Sequence, residues 1–199
     1  MNKLNQSDIS MNEYQELSGR TLMMVPDFEL TRDDISLVMA LMNLLITQSG
    51  LAELVKKGIF HRRGMNCVRF DRLLSLAVVQ IGQLMAAWTS YNGAQSILGG
   101  DSGSVTPKQL CLLWNVLGLF GESGEVAALV ADAVERNGAV DVANMTKELG
   151  DVEWYLSATA THSGAVLGVA AVENVNKLIA RFPDGYSPER TTYRGEGAK

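Results

Sequence analysis

Glu122-Ser123-Gly124-Glu125 and Glu148-Leu149-Gly150-Asp151 are the two most informative segments of the sequence. In each segment the two acidic residues are three positions apart, a spacing that places both side chains on one face of a helix. Each segment lies in an otherwise apolar helical run, at 112–130 and at 145–156. Because apolar residues are the rule on the inward face of such a helix, the pattern predicts two helices that turn four carboxylates inward.

Four inward carboxylates require compensating positive charge. An unpaired buried anion is very costly, and no Lys or Arg is spaced to pair with all four. Oxygen ligands of this kind suit Mg2+, with Mn2+ as an alternative. The sequence therefore predicts a divalent metal site formed by Glu122, Glu125, Glu148 and Asp151. The alternative, a solvated acidic face, fits poorly with the Leu, Val and Trp residues that flank the acids.

These segments resemble the all-α nucleoside triphosphate pyrophosphohydrolases of the MazG-like superfamily. That family is marked by Glu-x-x-Glu, a spacer of variable length, and then Glu-x-x-Asp. The flanking residues at 117–126 and 147–156 are similar to the family, as is a third block at 174–178 and 181–185. The resemblance covers residues 108–187, with a further similarity at 11–17. It implies an all-α fold, in which the motif helices are antiparallel neighbours in a bundle.

The resemblance also implies an activity, which is Mg2+-dependent hydrolysis of a nucleoside triphosphate to the monophosphate and pyrophosphate. The metal ligands Glu122, Glu125, Glu148 and Asp151 are then the catalytic residues. One of them, or the nearby Glu153, would act as the base toward the attacking water. The residues do not indicate which of the five it is.

Substrate contacts are expected from a second group of residues. Lys177 and Arg181 are four positions apart on one helix face, and the resemblance implies that they contact the leaving phosphates. Asn174 joins that face, and Asn115 lies seven residues before Glu122, where it could contact base or sugar. An exposed basic helix end and surface amides remain the structural alternatives. Three aromatic residues could stack on a base, although core packing is the more common role of such residues: Trp114, Trp154 and Tyr155.

Two other functional classes stay open. One is a hydrolase of another pyrophosphate-bearing compound, specific for dUTP or acting on phosphoribosyl-ATP. The other is a non-catalytic helical interaction protein, which would bind Mg2+ but release no pyrophosphate. The sequence does not indicate the preferred base or sugar.

Composition limits the compartment and the partners. The chain has 199 residues, is 47% hydrophobic and carries a net charge of −5, which argues against a nucleic-acid partner. Cys67 and Cys111 are predicted to be reduced thiols, and His61 and His162 to be solvated residues at helix ends. We find no signal-peptide pattern, and the apolar run 35–46 is too short to span a bilayer. A cytoplasmic protein without a membrane partner is expected.

The chain is expected to form one helical assembly without a convincing strand. Helices are predicted at 11–24, 31–58, 71–91, 106–137, 145–163 and 166–181. The expected organisation is an N-terminal helix that packs on the bundle, a helical segment, the catalytic helices and a mobile tail, at residues 1–30, 31–104, 105–187 and 188–199.

The segment 31–104 is interpreted as a degenerate internal repeat. Gln48-Ser49-Gly50-Leu51 corresponds to the first acidic segment and Gln80-Ile81-Gly82-Gln83 to the second. Since amides bind divalent cations more weakly than carboxylates, this copy would hold no metal. It would pack on the motif helices as a pseudo-symmetric partner, with Gln48 and Gln80 in the places of Glu122 and Glu148. Chance similarity between amphipathic helices is the alternative, and a homo-oligomer of whole chains stays open.

Overall fold

A computed structural model describes residues 10–21, 30–59, 61, 64–94 and 105–185. The described ranges contain no strand, so the predicted all-α fold is confirmed. A short 3-10 helix, Gly19–Thr21, follows the first α-helix. The predicted helical residues 22–24 and the predicted tail 188–199 lie outside the described residues. The α-helices of the described ranges are α1 Met11–Ser18, α2 Arg32–Ile59, α3 Cys67–Ala94, α4 Pro107–Glu135, α5 Val142–Ser163 and α6 Leu167–Arg181.

Reciprocal side-chain caps begin two of the long helices where the sequence predicted a start. At α4, Thr106 and Gln109 cap one another's backbone N–H groups, and Pro107 occupies the first turn. At α2, Thr31 N–H donates to Asp34 Oδ2 at 2.7 Å, and Asp34 N–H donates back to Thr31 Oγ1 at 3.1 Å. These bonds satisfy N–H groups that have no partner inside the helix.

Two further caps were missed by the sequence prediction. Asn66 Oδ1 accepts the Arg69 N–H at 3.0 Å, and Asp141 Oδ1 accepts N–H groups from the first turn of α5. Asn and Asp are strong helix caps. As a result α3 and α5 begin at Cys67 and Val142, rather than at the predicted positions 71 and 145.

The chain divides into two compact units. The first comprises residues 1–28 and 105–175, and the second comprises residues 29–104 and 176–199. In the first unit α4 packs along α5, and α1 packs on α5. In the second unit α2 packs along α3. The division of roles among the four predicted segments stays a prediction.

Helices α2 and α3 are antiparallel and keep one register along their whole length. Where α2 begins and α3 ends, Ser90 Oγ donates to Asp33 Oδ1 at 2.7 Å. Each step forward along α2 is matched by an equal step backward along α3. Three pairs of residues establish this register: Asp33 with Ser90, Gly50 with Leu73, and Gly58 with Met65.

This register corrects one detail of the expected internal repeat. Gln48 lies two residues before Gly50, so Ser75, two residues after Leu73, stands opposite it. Gln80 lies five residues farther along α3, which is about 7–8 Å along the helix axis. The predicted placement of Gln48 and Gln80 as a pair like Glu122 and Glu148 is therefore wrong, while the repeat itself stays a prediction.

The α2–α3 pair has a strongly apolar surface. By length and composition alone, Arg32–Ile59 and Cys67–Gly93 could each cross a membrane, a property shared with core helices of soluble proteins. The whole helices, unlike the run 35–46, are therefore long enough to span a bilayer. The exposed apolar side chains of α3 include Val68, Leu74, Val78, Val79, Ile81, Met85 and Trp88.

Candidate metal centre

A close contact between α4 and α5 aligns the two acidic segments. Gly118 lies against the Tyr155 ring, and any Cβ at position 118 would overlap that ring. Glu122 follows Gly118 by one helical turn, and Asp151 precedes Tyr155 by one turn. Because the helices are antiparallel, the glycine contact places Glu122 and Asp151 opposite one another, at the same height along the helix pair.

Three of the four predicted acids come together on α4 and α5, and the fourth lies near them. Carboxylate oxygens of Glu122, Glu148 and Asp151 lie within 4.8 Å of one another. Glu125 lies close enough to Glu148 to raise its pKa. Like charges this close repel one another strongly, and a set of ligands made only of carboxylates suits a hard divalent cation. The residues therefore fit Mg2+ or Mn2+, in the positions that the sequence pattern indicated.

The acids are less buried than the sequence predicted. Glu122 and Glu148 are half-buried, whereas Glu125 and Asp151 are exposed. The expectation that all four point into an apolar interior is therefore wrong, because α4 and α5 present them on an open face. Cβ atoms built on three glycines beside the acids would meet no atom within 4 Å: Gly121, Gly124 and Gly150.

Crowding raises the pKa of two of the acids. Partial burial, followed by repulsion from Glu125, Asp151 and Glu148, raises the pKa of Glu122. Partial burial is the largest cause that raises the pKa of Glu148. Repulsion from Glu125, a hydrogen bond with Glu125 and repulsion from Asp151 raise this pKa further, whereas Lys147 lowers it. Without a cation, the cluster therefore retains protons more readily than ordinary carboxylates do.

The N-terminal helix is anchored beside this cluster. The Ser18 and Ser157 hydroxyls share a buried hydrogen bond. Trp154 Nε1 donates to Thr21 Oγ1 at 2.8 Å. The residue before Trp154 is Glu153, the candidate base, which is exposed. The end of α1 is thus bonded to the part of α5 that follows the second acidic segment.

Tyr14 is the residue of α1 that reaches the acidic segment itself. Its hydroxyl lies 3.5 Å from the Gly150 carbonyl oxygen. Partial burial and the charges of Glu153 and Asp151 raise the pKa of Tyr14, so the phenol stays protonated at neutral pH. The sequence similarity at 11–17 includes Tyr14 but assigned it no role, because the packing of α1 on α5 is visible only in the structure.

The predicted substrate-binding residues have different environments. Asn115 is buried on α4, two turns before Glu122, and Asn174 is exposed on α6. Lys177 is exposed, and the Arg181 guanidinium carbon lies 5.0 Å from the centre of the Phe182 ring. Lys177 and Arg181 belong to the second unit. Their contact with a substrate stays a prediction.

The aromatic residues near the site divide into two groups. Trp114 is exposed. Trp154 and Tyr155 are half-buried and pack edge to face, with ring centroids 4.9 Å apart. Trp154 donates its N–H to Thr21, and Tyr155 packs on Gly118. The packing interpretation is therefore favoured for Trp154 and Tyr155, and Trp114 has the surface on which a base could stack.

The histidines and cysteines lie outside the acidic cluster. His162 is buried in the last turn of α5, where burial and the charge of Lys108 lower its pKa. The prediction that it is solvated is therefore wrong, because its helix end is covered. Neither Cys67 nor Cys111 forms a disulfide in the part of the chain that the structure describes.

An open cavity of about 600 Å³ lies between α1 and the turn from α5 to α6. Two side chains in its wall already have partners. Asn12 Oδ1 accepts the Gly168 N–H, and Gln15 Oε1 accepts the Leu167 N–H, both at 2.9 Å. These side chains cap the start of α6, and none of the four acids lines the cavity.

Comparisons with known proteins agree with this geometry. The family model of the MazG nucleotide pyrophosphohydrolase domain matches residues 113–186, a range that contains all four acids. The "Gene 37 protein" of Mycobacterium phage L5 is 33% identical over 112 residues, which are 54% of this chain and 90% of the phage protein. The name of that protein states no activity. No solved structure matches the chain significantly.

Proposed function

Because this chain belongs to the MazG-like superfamily of nucleotide pyrophosphohydrolases, we propose that it hydrolyses a nucleoside triphosphate, ribo or deoxy. The products are the monophosphate and pyrophosphate, and the reaction depends on Mg2+, for which Mn2+ can substitute. The observation that carries the proposal is the approach of carboxylate oxygens of Glu122, Glu148 and Asp151 to within 4.8 Å of one another. This cluster lies inside the segment that matches the MazG domain.

The chain's own residues have distinct tasks in this reaction. Glu122, Glu125, Glu148 and Asp151 would hold a divalent cation on the open face between α4 and α5. When bound, a divalent cation screens the phosphate charges and makes hydroxide available at neutral pH. The proton of the attacking water passes to one of these carboxylates or to Glu153. The half-burial of Glu122 and Glu148 strengthens their attraction for a cation, because water screens them less.

Substrate recognition is assigned to residues outside the cluster. Lys177 and Arg181 would pair with the phosphates, since cationic donors form strong hydrogen bonds with phosphate oxygens. Asn115 would contact the base or sugar, and Asn174 would support the phosphate contacts. The partner is thus a nucleotide rather than a nucleic acid or a membrane, and we propose a cytoplasmic location.

A panel of nucleoside triphosphates with Mg2+ tests the proposal, with product analysis as the measurement. Release of pyrophosphate and monophosphate is expected. Diphosphate and orthophosphate as the main products would refute the assignment of the cleaved bond. Turnover of phosphoribosyl-ATP or of dUTP alone would favour the other hydrolase class. Metal binding without any release of pyrophosphate would favour a helical interaction protein.

A further inference from the structure

The four acids of the metal centre offer a substrate no hydrogen-bond donor while they are ionised. An ionised carboxylate only accepts hydrogen bonds, and the oxygens of a phosphate chain also only accept them. Tyr14 brings a neutral O–H donor to this place, since its hydroxyl lies 3.5 Å from the carbonyl oxygen of Gly150, the residue before Asp151. The hydroxyl therefore has the chemistry that the carboxylates lack.

The position of Tyr14 is set by its neighbours on α1. Gln15 Nε2 donates to the Ala165 carbonyl oxygen at 2.9 Å and to Thr161 Oγ1 at 3.3 Å. Four residues after Tyr14, Ser18 is bonded to Ser157. These contacts hold α1 on α5 without any contribution from the Tyr14 hydroxyl.

The hydroxyl's own bond is weak and its surroundings are open. A separation of 3.5 Å is longer than the usual 2.5–3.0 Å of an O–H···O hydrogen bond. The Gly150 carbonyl also accepts the N–H four residues on, as in any α-helix. A Cβ on Gly150 would meet no atom within 4 Å. A ligand atom can therefore enter beside Gly150 and replace the weak acceptor.

We propose that the Tyr14 hydroxyl donates a hydrogen bond to an oxygen of the bound nucleotide in the space beside Gly150. Tyr14 is thus a substrate-binding residue of the α4–α5 metal centre, and the inference rests on the function proposed above. The accepting oxygen belongs to the phosphate chain or to the sugar, both of which accept from an O–H donor.

The first test removes one oxygen atom. Full-length wild type, Tyr14→Phe and Tyr91→Phe are compared; Tyr91→Phe is the matched control, on α3, where the ring stacks on Trp88. Calorimetry measures the Kd of Mn2+ alone, of pyrophosphate with Mn2+, and of a non-hydrolysable α,β-imido triphosphate with Mn2+. In Tyr14→Phe the analogue should bind about tenfold more weakly, the loss of one hydrogen bond to a charged or polar partner, with unchanged Mn2+ Kd and Tm.

The pyrophosphate arm identifies the oxygen. Weaker pyrophosphate binding in Tyr14→Phe supports a contact with the phosphate chain, and unchanged pyrophosphate binding with a weakened analogue supports a contact with the sugar. The proposal is overturned if Tyr14→Phe binds the analogue as wild type does. It is also overturned if the Tm falls and the Mn2+ Kd rises together, because the hydroxyl then only holds α1 in place.

A second test fills the space and keeps the hydroxyl. Gly150→Ala should weaken analogue binding without lowering the Tm, because Ala favours a helix more than Gly does. Gly82→Ala, at another helical glycine with no atom within 4 Å of its Cβ position, is the control. Unchanged analogue binding in Gly150→Ala would overturn the proposed subsite. If the wild type itself neither binds the analogue nor releases pyrophosphate, the proposed function has failed, and the Tyr14 contact fails with it.

Discussion

The α2–α3 and α4–α5 hairpins share a plan but differ at the positions that matter for chemistry. Each consists of two antiparallel helices that pack along their length. The helices have 28 and 28 residues in the first hairpin and 29 and 22 in the second. If Gln48–Leu51 is aligned with Glu122–Glu125, the register of each hairpin identifies the facing positions. The acids of the second hairpin then correspond to Gln48, Leu51, Arg72 and Ser75 in the first.

The glycines of the aligned segments show a second difference. Gly50 and Gly124 occupy equivalent places in the two Ser-Gly pairs. A Cβ on Gly50 would lie 3.2 Å from Leu73 Cδ1, whereas a Cβ on Gly124 would meet nothing within 4 Å. The first hairpin closes this space by packing, and the second leaves it open beside its acids. The second hairpin thus combines acidic residues with open space beside its backbone, and the aligned segment of the first hairpin has neither.

The largest expected effect comes from removing one ligand charge in the second hairpin. Glu125→Gln or Asp151→Asn should lower kcat/KM at least about 100-fold. Removing a residue that only hydrogen-bonds to a metal ligand already lowers metal affinity or activity about 10–100-fold. Steady-state pyrophosphate release at saturating Mg2+ measures it. Glu135→Gln, which neutralises an exposed acid at the end of α4, is the matched control. Full activity in either ligand variant would remove that residue from the site.

The next effect compares the glycine contacts of the two hairpins. Gly118→Ala should push Tyr155 away and destabilise the protein by about 1–3 kcal/mol, the usual cost of overpacking. It should also weaken Mn2+ binding, because Glu122 and Asp151 would no longer lie opposite one another on α4 and α5. Gly50→Ala should cost less, since it meets the flexible end of Leu73. Denaturant unfolding and Mn2+ titration measure both effects.

A rescue variant separates the two consequences of Gly118→Ala. Adding Tyr155→Leu to it removes the clashing ring and should restore Mn2+ affinity in part. If Gly118→Ala binds Mn2+ as wild type does, the contact does not align the acids. Equal destabilisation by Gly118→Ala and Gly50→Ala would erase the difference between the hairpins.

How far the sequence predicts this molecule follows from where its signals lie. The helix start at Thr106-Pro107 is a local signal and was interpreted correctly. The spacing of the acids is also a local signal, and the role of these acids in the site stays a prediction. Asn66 and Asp141 are also local caps, and the sequence prediction overlooked them although both are residue types that commonly cap helices. Periodicity identifies which residues share a helix face. It does not identify what covers that face, so the open setting of Glu125 and Asp151 was not predictable.

The register of a hairpin is harder still to predict from sequence. It depends on which side chain fills which gap, such as Leu73 at Gly50. A similarity of four residues, such as Gln80–Gln83, can slide by more than one turn before any apolar pattern is violated. The first hairpin was therefore recognised as a possible repeat, but its facing residues were paired wrongly.

A pH experiment gives a smaller effect, of opposite sign in the two hairpins. The pKa values of Glu122 and Glu148 are raised above the ordinary 4.5. At a pH between 4.5 and the raised values, the folded metal-free protein therefore binds more protons than the unfolded chain does. Its stability should therefore rise as pH falls from 7 through the raised values. Glu53, held by Lys56 and Lys57, has its pKa lowered from 4.5 to about 2. The stability that it contributes is present above pH 4.5 and is lost as pH falls toward 2.

Thermal unfolding without metal, at several pH values, checks these signs. The Glu122→Gln, Glu148→Gln double variant should lose the rise in Tm between neutral pH and about pH 5, and excess Mg2+ should abolish it in wild type. Glu53→Gln should change the Tm only in the acid part of the pH profile, where the pH falls from 4.5 toward 2. If the wild-type Tm falls steadily from pH 7 to 5 and follows the same course as the Tm of the double variant, the raised pKa values are contradicted.

The smallest expected effect is an absence of membrane binding by the more apolar hairpin. By composition α2 and α3 could each span a bilayer, and two spans would place their connection on the side opposite to the rest of the chain. That connecting end carries Lys56, Lys57, Arg69 and Arg72, and basic connections remain on the cytoplasmic side. Insertion would therefore leave the acidic centre on the far side, away from cytoplasmic nucleotides. We expect the protein to stay at the bottom of a flotation gradient with neutral phosphatidylcholine vesicles, and its recovery with the vesicles would overturn the cytoplasmic assignment.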